Sequence, residues 1–252
     1  MRPRIAIPLP HSGDPEYAQR AYPQYAAAVE SAGAEAMQIP LDQPPAKVMK
    51  LIERCDAVLL PGSKADVDPA KYGAARDPQT NATDAARDTV DELLLQDAYN
   101  MRKPVLGICY GLQTLNVYRS GTLIQHIESA VNHRAGRRMA VAHTVEIAPG
   151  SKLAEIVGEK AKSGQSLNVP VNSSHHQSVG VVGDGLRLVA RCPDDGIVEG
   201  VEGTSADHFV VGVQWHPERS FNDDEPSRAI FRALVEAAKA RRSELAGEFE
   251  SV

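Results

Sequence analysis

The chain has 252 residues, 42% hydrophobic and 24% charged, with a formal net charge of -6. That is enough apolar material for one large or two small globular domains with a sizeable core. The acidic balance and the lack of any long basic stretch argue against nucleic-acid binding.

Short apolar runs alternate with helical patterns through the first half. Residues 4–8 read as a buried strand, and 16–32 as a helix that stops at Gly33. A second strand is expected at 36–39, a helix at 46–54 and a third strand at 57–60, running into Pro61-Gly62. A long polar loop, 63–82, leads to a helix at 84–101, where Val90, Leu93, Leu94 and Ala98 keep helical spacing. Residues 104–108 form another expected strand, and 110–118 a helix ending before Gly121. Strand–helix alternation of this kind implies right-handed crossovers and a mostly parallel central sheet flanked by helices.

The second half changes character. Segments 122–127, 139–147, 186–192, 196–201 and 209–215 read as strands joined by turns, which predicts an antiparallel extension. An amphipathic helix is expected at 226–240, with Ile230, Phe231, Leu234 and Val235 on one face, and the polar residues 244–252 are expected to fray. There is no internal repeat or long linker, so residues 1–252 read as one α/β domain with its core at about 4–241. No run of roughly eighteen uncharged apolar residues occurs, as a membrane-spanning helix would need. Pro8 and Pro10 interrupt the N-terminal apolar run. Cys55, Cys109 and Cys192, odd in number and irregularly spaced, fit a reducing compartment, and a cytoplasmic location is expected.

The most informative segment is Val105-Leu106-Gly107-Ile108-Cys109-Tyr110-Gly111-Leu112-Gln113. It sets Gly-x-Cys-x-Gly between a buried strand and a helix, the arrangement that holds a nucleophile on a sharp turn at a sheet's carboxyl edge. Gly107 and Gly111 leave room where a Cβ would clash, and the helix N-terminus favours thiolate over thiol. The Tyr110 N–H would face a developing oxyanion. Taken alone, Cys109 could equally be a small buried hydrophobe, which is the reading adopted for Cys55 and Cys192.

A cysteine nucleophile needs a base. His216 follows an apolar strand and precedes Pro217-Glu218, so Glu218 is placed to orient the imidazole. The set would run Cys109, His216, Glu218.

At this point the chain resembles the class I glutamine amidotransferase-like hydrolases, a flavodoxin-like fold. The branch it resembles most is the peptidase C26 branch of γ-glutamyl-γ-aminobutyrate hydrolases. The matching segments run from Ile5 to about Leu234. They include Leu59-Leu60-Pro61-Gly62, Asp66-Val67-Asp68-Pro69, Val171-Asn172-Ser173, His175-His176-Gln177 and Val213-Gln214-Trp215-His216-Pro217-Glu218. The resemblance implies Cys109 as nucleophile, His216 as general base and acid, and Glu218 as its orienter. It also implies an oxyanion hole from the backbone N–H groups of Gly62 and Tyr110, with Gln113, His175, His176 and Gln177 lining the substrate pocket. The implied reaction hydrolyses a small-molecule γ-glutamyl amide through a thioester, releasing glutamate, with no cofactor and no metal.

On residues alone, His175-His176 is a loop pair or an adventitious metal binder, since no other cluster with zinc-like spacing accompanies it. Arg87-Asp88 is a solvated helix face. Three departures from the family pattern stand out: Tyr110 after the nucleophile, the bulkier Ser63-Lys64-Ala65, and Tyr118-Arg119-Ser120 before Gly121. Two alternatives compete with the hydrolase: a glutaminase subunit supplying ammonia to a separate synthase, and a non-enzymatic redox or scaffold protein. Neither nucleic acid nor membrane is an expected partner, and a homodimer stays open.

Overall fold

The computed structural model describes residues 2–158 and 165–250. Strands β1 (Arg4–Pro8), β2 (Glu35–Ile39), β3 (Ala57–Leu60) and β4 (Val105–Ile108) alternate with helices α1 (Pro15–Ser31), α2 (Pro45–Ile52), α3 (Ala85–Met101) and α4 (Tyr110–Tyr118). Each lies within a residue or two of its expected place. The later elements are β5 (Leu123–Ile124), β6 (His143–Ile147), α5 (Lys152–Val157), β7 (Leu167–Val171) and β8 (Ser178–Val179). They continue through β9 (Leu186–Arg191), β10 (Val198–Gly203) and β11 (Val210–Val213) to α6 (Glu225–Glu250).

Among the described residues, nine strands form one sheet in the order β2-β1-β3-β4-β11-β10-β9-β6-β7. The first five run parallel and the last four extend them antiparallel. Every residue of β3, β4 and β11 is buried, as expected where helices cover both faces of a parallel sheet. Strand alternation sorts the core in two. Ile5, Ile7, Leu59, Leu106, Val211 and Val213 pack with α1 and α6, whereas Ala6, Val58, Leu60, Val105 and Val210 pack with α2, α3 and α4. No helix among the described residues is long and apolar enough to cross a membrane.

The departures lie in the second half. Of the expected strand 122–127 only Leu123–Ile124 pairs, and it joins β8 in a separate two-stranded sheet. The buried Asn116 draws it there by donating to the carbonyls of both Thr122 and Val181. The strand expected from 139 begins only at His143, and Met139 and Val141 stand exposed. Helix α5 and strands β7 and β8 were not expected. Strand β7 is an edge strand, which is where Pro170 can sit without breaking a ladder. Helix α6 runs to Glu250 where a stop at Ala240 and fraying from 244 were expected; Ala, Leu and Glu favour the added turns, and Arg241 pairs with Glu244 one turn on. Residues 251–252 of that tail lie outside the described residues.

Candidate active site

Three neighbouring parallel strands end at one edge of the sheet, and each delivers one part of the site. Strand β3 runs into Pro61-Gly62, β4 into Cys109, and β11, through Gln214-Trp215, into His216. Register fixes this alignment: Val213 pairs with Ile108, Leu60 with Gly107, and the Cys109 N–H donates to the Val213 carbonyl at 2.8 Å.

Cys109 sits at φ 53°, ψ -106°, a left-handed backbone that a side chain rarely adopts. Its glycine neighbours make that turn possible. A Cβ on Gly107 would lie 2.8 Å from the Gly111 backbone, and one on Gly111 would collide with the Leu60 carbonyl. Gly62 faces the same point from β3: a Cβ there would meet the His216 Cε1 at 3.0 Å and the Cys109 Cβ at 3.6 Å. Cysteine, imidazole and glycine loop thus surround one spot.

His216 is held on both sides. Its Nδ1 lies 2.8 Å from the Glu218 carboxylate, leaving Nε2 for the cysteine side. Asn172, just past β7, donates to the His216 carbonyl at 2.9 Å and accepts from its N–H at 3.1 Å. Arg219 reaches within 3.5 Å of Glu218 and donates to the Ser174 hydroxyl.

Burial sets the resting protonation. It pushes the Cys109 thiol up to about 12, against the pull of Arg219 and of the Tyr110 N–H aimed at the sulfur. It also lowers His216 below the ordinary imidazole value, although Glu218 favours the cation. Burial opposes charge on Glu218, yet His216 and Arg219 hold its carboxyl below the usual value. The set therefore rests as thiol, neutral imidazole and carboxylate. The sequence reading expected the helix N-terminus to favour thiolate; burial, with Glu218 nearby, works against it.

The other expected site residues differ in how their polar atoms are engaged. Gln113, His175, His176 and Gln177 line a cleft with Cys109 and His216, and Arg219, which was not expected there, joins them. His176 is anchored by Asp66 and Asn81, each at 2.9 Å. The Gln113 amide donates to the Gln177 carbonyl and the Gln214 side chain, so it braces the wall. His175 turns inward, its Nδ1 on the Gln177 carbonyl and its Nε2 3.4 Å from the buried Glu199. The Gly62 N–H, expected to help bind an oxyanion, donates to the Tyr25 hydroxyl at 3.1 Å.

Two supporting residues escaped the sequence reading. Tyr25 lies inside α1 with no motif to mark it. Arg87 is wholly buried rather than on a solvated face: it pairs with Asp91 at 2.7 Å and donates to the carbonyls of Pro10 and Pro61, clamping the loop that carries Gly62. Its guanidinium also covers the Tyr110 ring, whose hydroxyl donates to Asp88. The one available signal was the i, i+4 spacing of Arg87 and Asp91 on the same helix.

A strained cysteine between strand and helix, beside a carboxylate-backed imidazole, is an arrangement of the glutamine amidotransferase-like hydrolases. Known proteins similar to this chain agree. The peptidase C26 family model matches residues 9–218. A Mycobacterium tuberculosis protein bearing a glutamine amidotransferase name is 38% identical over 219 residues, covering 85% of this chain; this chain spans 66% of that longer relative. The γ-glutamyl-γ-aminobutyrate hydrolase of Escherichia coli O157:H7 is 33% identical, over 77% of this chain and 76% of its own. The crystal structure of a GMP synthase component from Thermoplasma acidophilum has the same fold, with TM-score 0.64, 14% identity and 98% of each chain covered. The chain belongs to the peptidase C26 family and is a glutamine amidotransferase-like hydrolase.

Proposed function

We propose that this chain hydrolyses γ-glutamyl amides of small amines or peptides through a thioester on Cys109. The observation that carries the reading is Cys109 at its positive-φ turn, next to an imidazole whose far nitrogen is held by Glu218. His216 takes the thiol proton as sulfur attacks the amide carbon, and the oxyanion forms near the Tyr110 N–H. The Gly62 N–H joins only by exchanging its Tyr25 partner for the oxyanion. As the tetrahedral centre collapses, the C–N bond breaks and the imidazolium gives its proton to the departing amine. Water, deprotonated by His216, then attacks the thioester carbon, releasing glutamate and restoring the thiol.

Substrate choice follows from the cleft. Arg20, Arg137 and Arg219 line it, which suits a substrate carrying carboxylates. Gln113, His175, His176 and Gln177 shape the wall that meets the glutamyl end. The relative named for γ-glutamyl-γ-aminobutyrate makes that compound the first to assay.

The test is glutamate release by purified protein from glutamine, γ-glutamyl-γ-aminobutyrate and γ-glutamyl peptides. Turnover of at least one by the chain alone is expected, and its loss in Cys109→Ala with the circular dichroism spectrum unchanged. Retained hydrolysis in that variant would refute the thioester.

A further inference from the structure

Behind the cleft, in the antiparallel half, three imidazoles converge on one carboxylate oxygen. Glu199 on β10 is wholly buried, and its Oε1 lies 3.2 Å from His133 Nδ1, 3.0 Å from His143 Nε2 and 3.4 Å from His175 Nε2. All three histidines are less than a tenth exposed, and their rings crowd together, His133 lying 4.6 Å from His143 and 4.9 Å from His175 between centroids. Nothing in the proposed reaction uses this cluster.

Hydrogen bonding alone satisfies it poorly. His133 already gives its Nε2 to Asp195 at 2.8 Å, and His175 gives its Nδ1 to the Gln177 carbonyl at 2.9 Å. As neutral rings with those donors, both direct a lone pair, not a proton, at the Glu199 oxygen. His133 Nδ1, His143 Nδ1, His175 Nε2 and Glu199 Oε2 are all buried without a hydrogen-bond partner. A cation among the lone pairs would resolve the conflict, as would two protonated rings packed against each other, which is the costlier choice in a dry interior.

We propose that His133, His143 and Glu199 form a structural site for a divalent transition metal of the zinc type, with His175 packed beside it against the same carboxylate oxygen. His133, His143 and Glu199 each offer a donor atom within 4.8 Å of the others. In a tetrahedral zinc site with bonds of about 2.0–2.1 Å, neighbouring donor atoms lie about 3.3 Å apart, and the Glu199 oxygen lies 3.2 Å from the His133 nitrogen and 3.0 Å from that of His143. On His133 the outer partner fits as well: a carboxylate on the far nitrogen is what orients a metal-bound imidazole, whereas the far nitrogen of His143 is buried without a partner. Imidazole and carboxylate donors together suit zinc better than magnesium or calcium, which take oxygen. Burial leaves no open position for substrate, so the role is to fasten β6, β10 and the loop of His133 together. The loop of His175, packed beside them, continues directly into His176-Gln177 of the cleft wall. The spacing of the donors, 133, 143 and 199, matches no short metal motif, which is why the sequence pattern did not reveal them.

The test needs no activity. Untagged protein purified without chelator should carry about one zinc ion per chain by mass spectrometry of the elements. Chelator-stripped protein should melt higher as Zn²⁺ is added, and Co²⁺ should give the visible bands of a tetrahedral site. His143→Gln should lose these responses, while His126→Gln, whose ring packs against His176, should keep them. Should His143→Gln fail to fold, the cobalt spectrum and stoichiometry of the wild-type protein decide alone. Metal-free protein whose melting ignores Zn²⁺, with no tetrahedral cobalt spectrum, would overturn the proposal and leave an imidazole–carboxylate network. Binding that persists in folded His143→Gln would overturn it too, by placing the ion elsewhere. Either result leaves the proposed reaction at Cys109 untouched.

Discussion

The two halves of the sheet are built for different work. In the parallel half, β3, β4 and β11 are uniformly apolar and end together, and the reactive groups appear only past their carboxyl ends. In the antiparallel half, polar and titratable residues lie within the strands: His143 on β6, Glu199 and Glu202 on β10, all buried. Buried polar groups in a strand must find one another across the sheet, so this half is specified by long-range pairing, whereas the first is specified by local pattern. The chemistry sits on the half that is easiest to fold correctly, and its cleft wall is supplied by the half that is harder.

That division predicts where substitutions act. The largest effect belongs to His216→Ala, which should lower kcat by about 10³-fold or more while leaving the fold intact, since it removes the proton carrier of both half-reactions. Steady-state kinetics beside a circular dichroism spectrum check this. Gly111→Ala should act on stability instead, by about 3 kcal/mol, because the added methyl meets a backbone carbonyl that cannot move without shifting β3. Denaturant unfolding measures it, and a loss under about 1 kcal/mol would show the elbow to be looser than its geometry.

Asn172→Ala would break the clean division, since Asn172 belongs to the antiparallel half yet grips both sides of the His216 backbone. A fall of about 10–100-fold in kcat with little change in KM is expected from a misplaced base. If KM alone changes, the antiparallel half merely shapes the cleft. The smallest effect is a matter of pH. With the Cys109 thiol near 12, alkylation by iodoacetamide should be slow at neutrality and still rising beyond the ordinary thiol range. His216, lowered by burial, stays neutral through neutrality, so the acid limb of kcat/KM should fall below the ordinary imidazole value. A thiolate–imidazolium pair at rest would instead show rapid alkylation well below neutrality.

Much of the parallel half was legible residue by residue. The strand at 57–60 and the helix at 110–118 match their observed bounds, because a run of buried apolar residues or a helical period is a local signal. The elbow was legible for the same reason: Gly107, Cys109 and Gly111 are near in sequence, and their steric need is local. Residues 148–185 carried no such signal. Strands β7 and β8 are short, and β7 contains a proline that only an edge position tolerates.

What the sequence alone determined, then, was the order of strands and helices in the first half, the sharp turn at Cys109, and the pairing of His216 with Glu218 two residues away. These follow from backbone sterics and short-range hydrogen bonding, which neighbours in the chain decide. The tertiary structure decided burial. It made Arg87 a clamp rather than a surface charge, turned the Gly62 amide toward Tyr25, and pushed the Cys109 thiol up by burying it. It also brought three distant histidines onto Glu199. Desolvation and long-range contact depend on what the whole chain places around a group, and no stretch of sequence carries that information by itself.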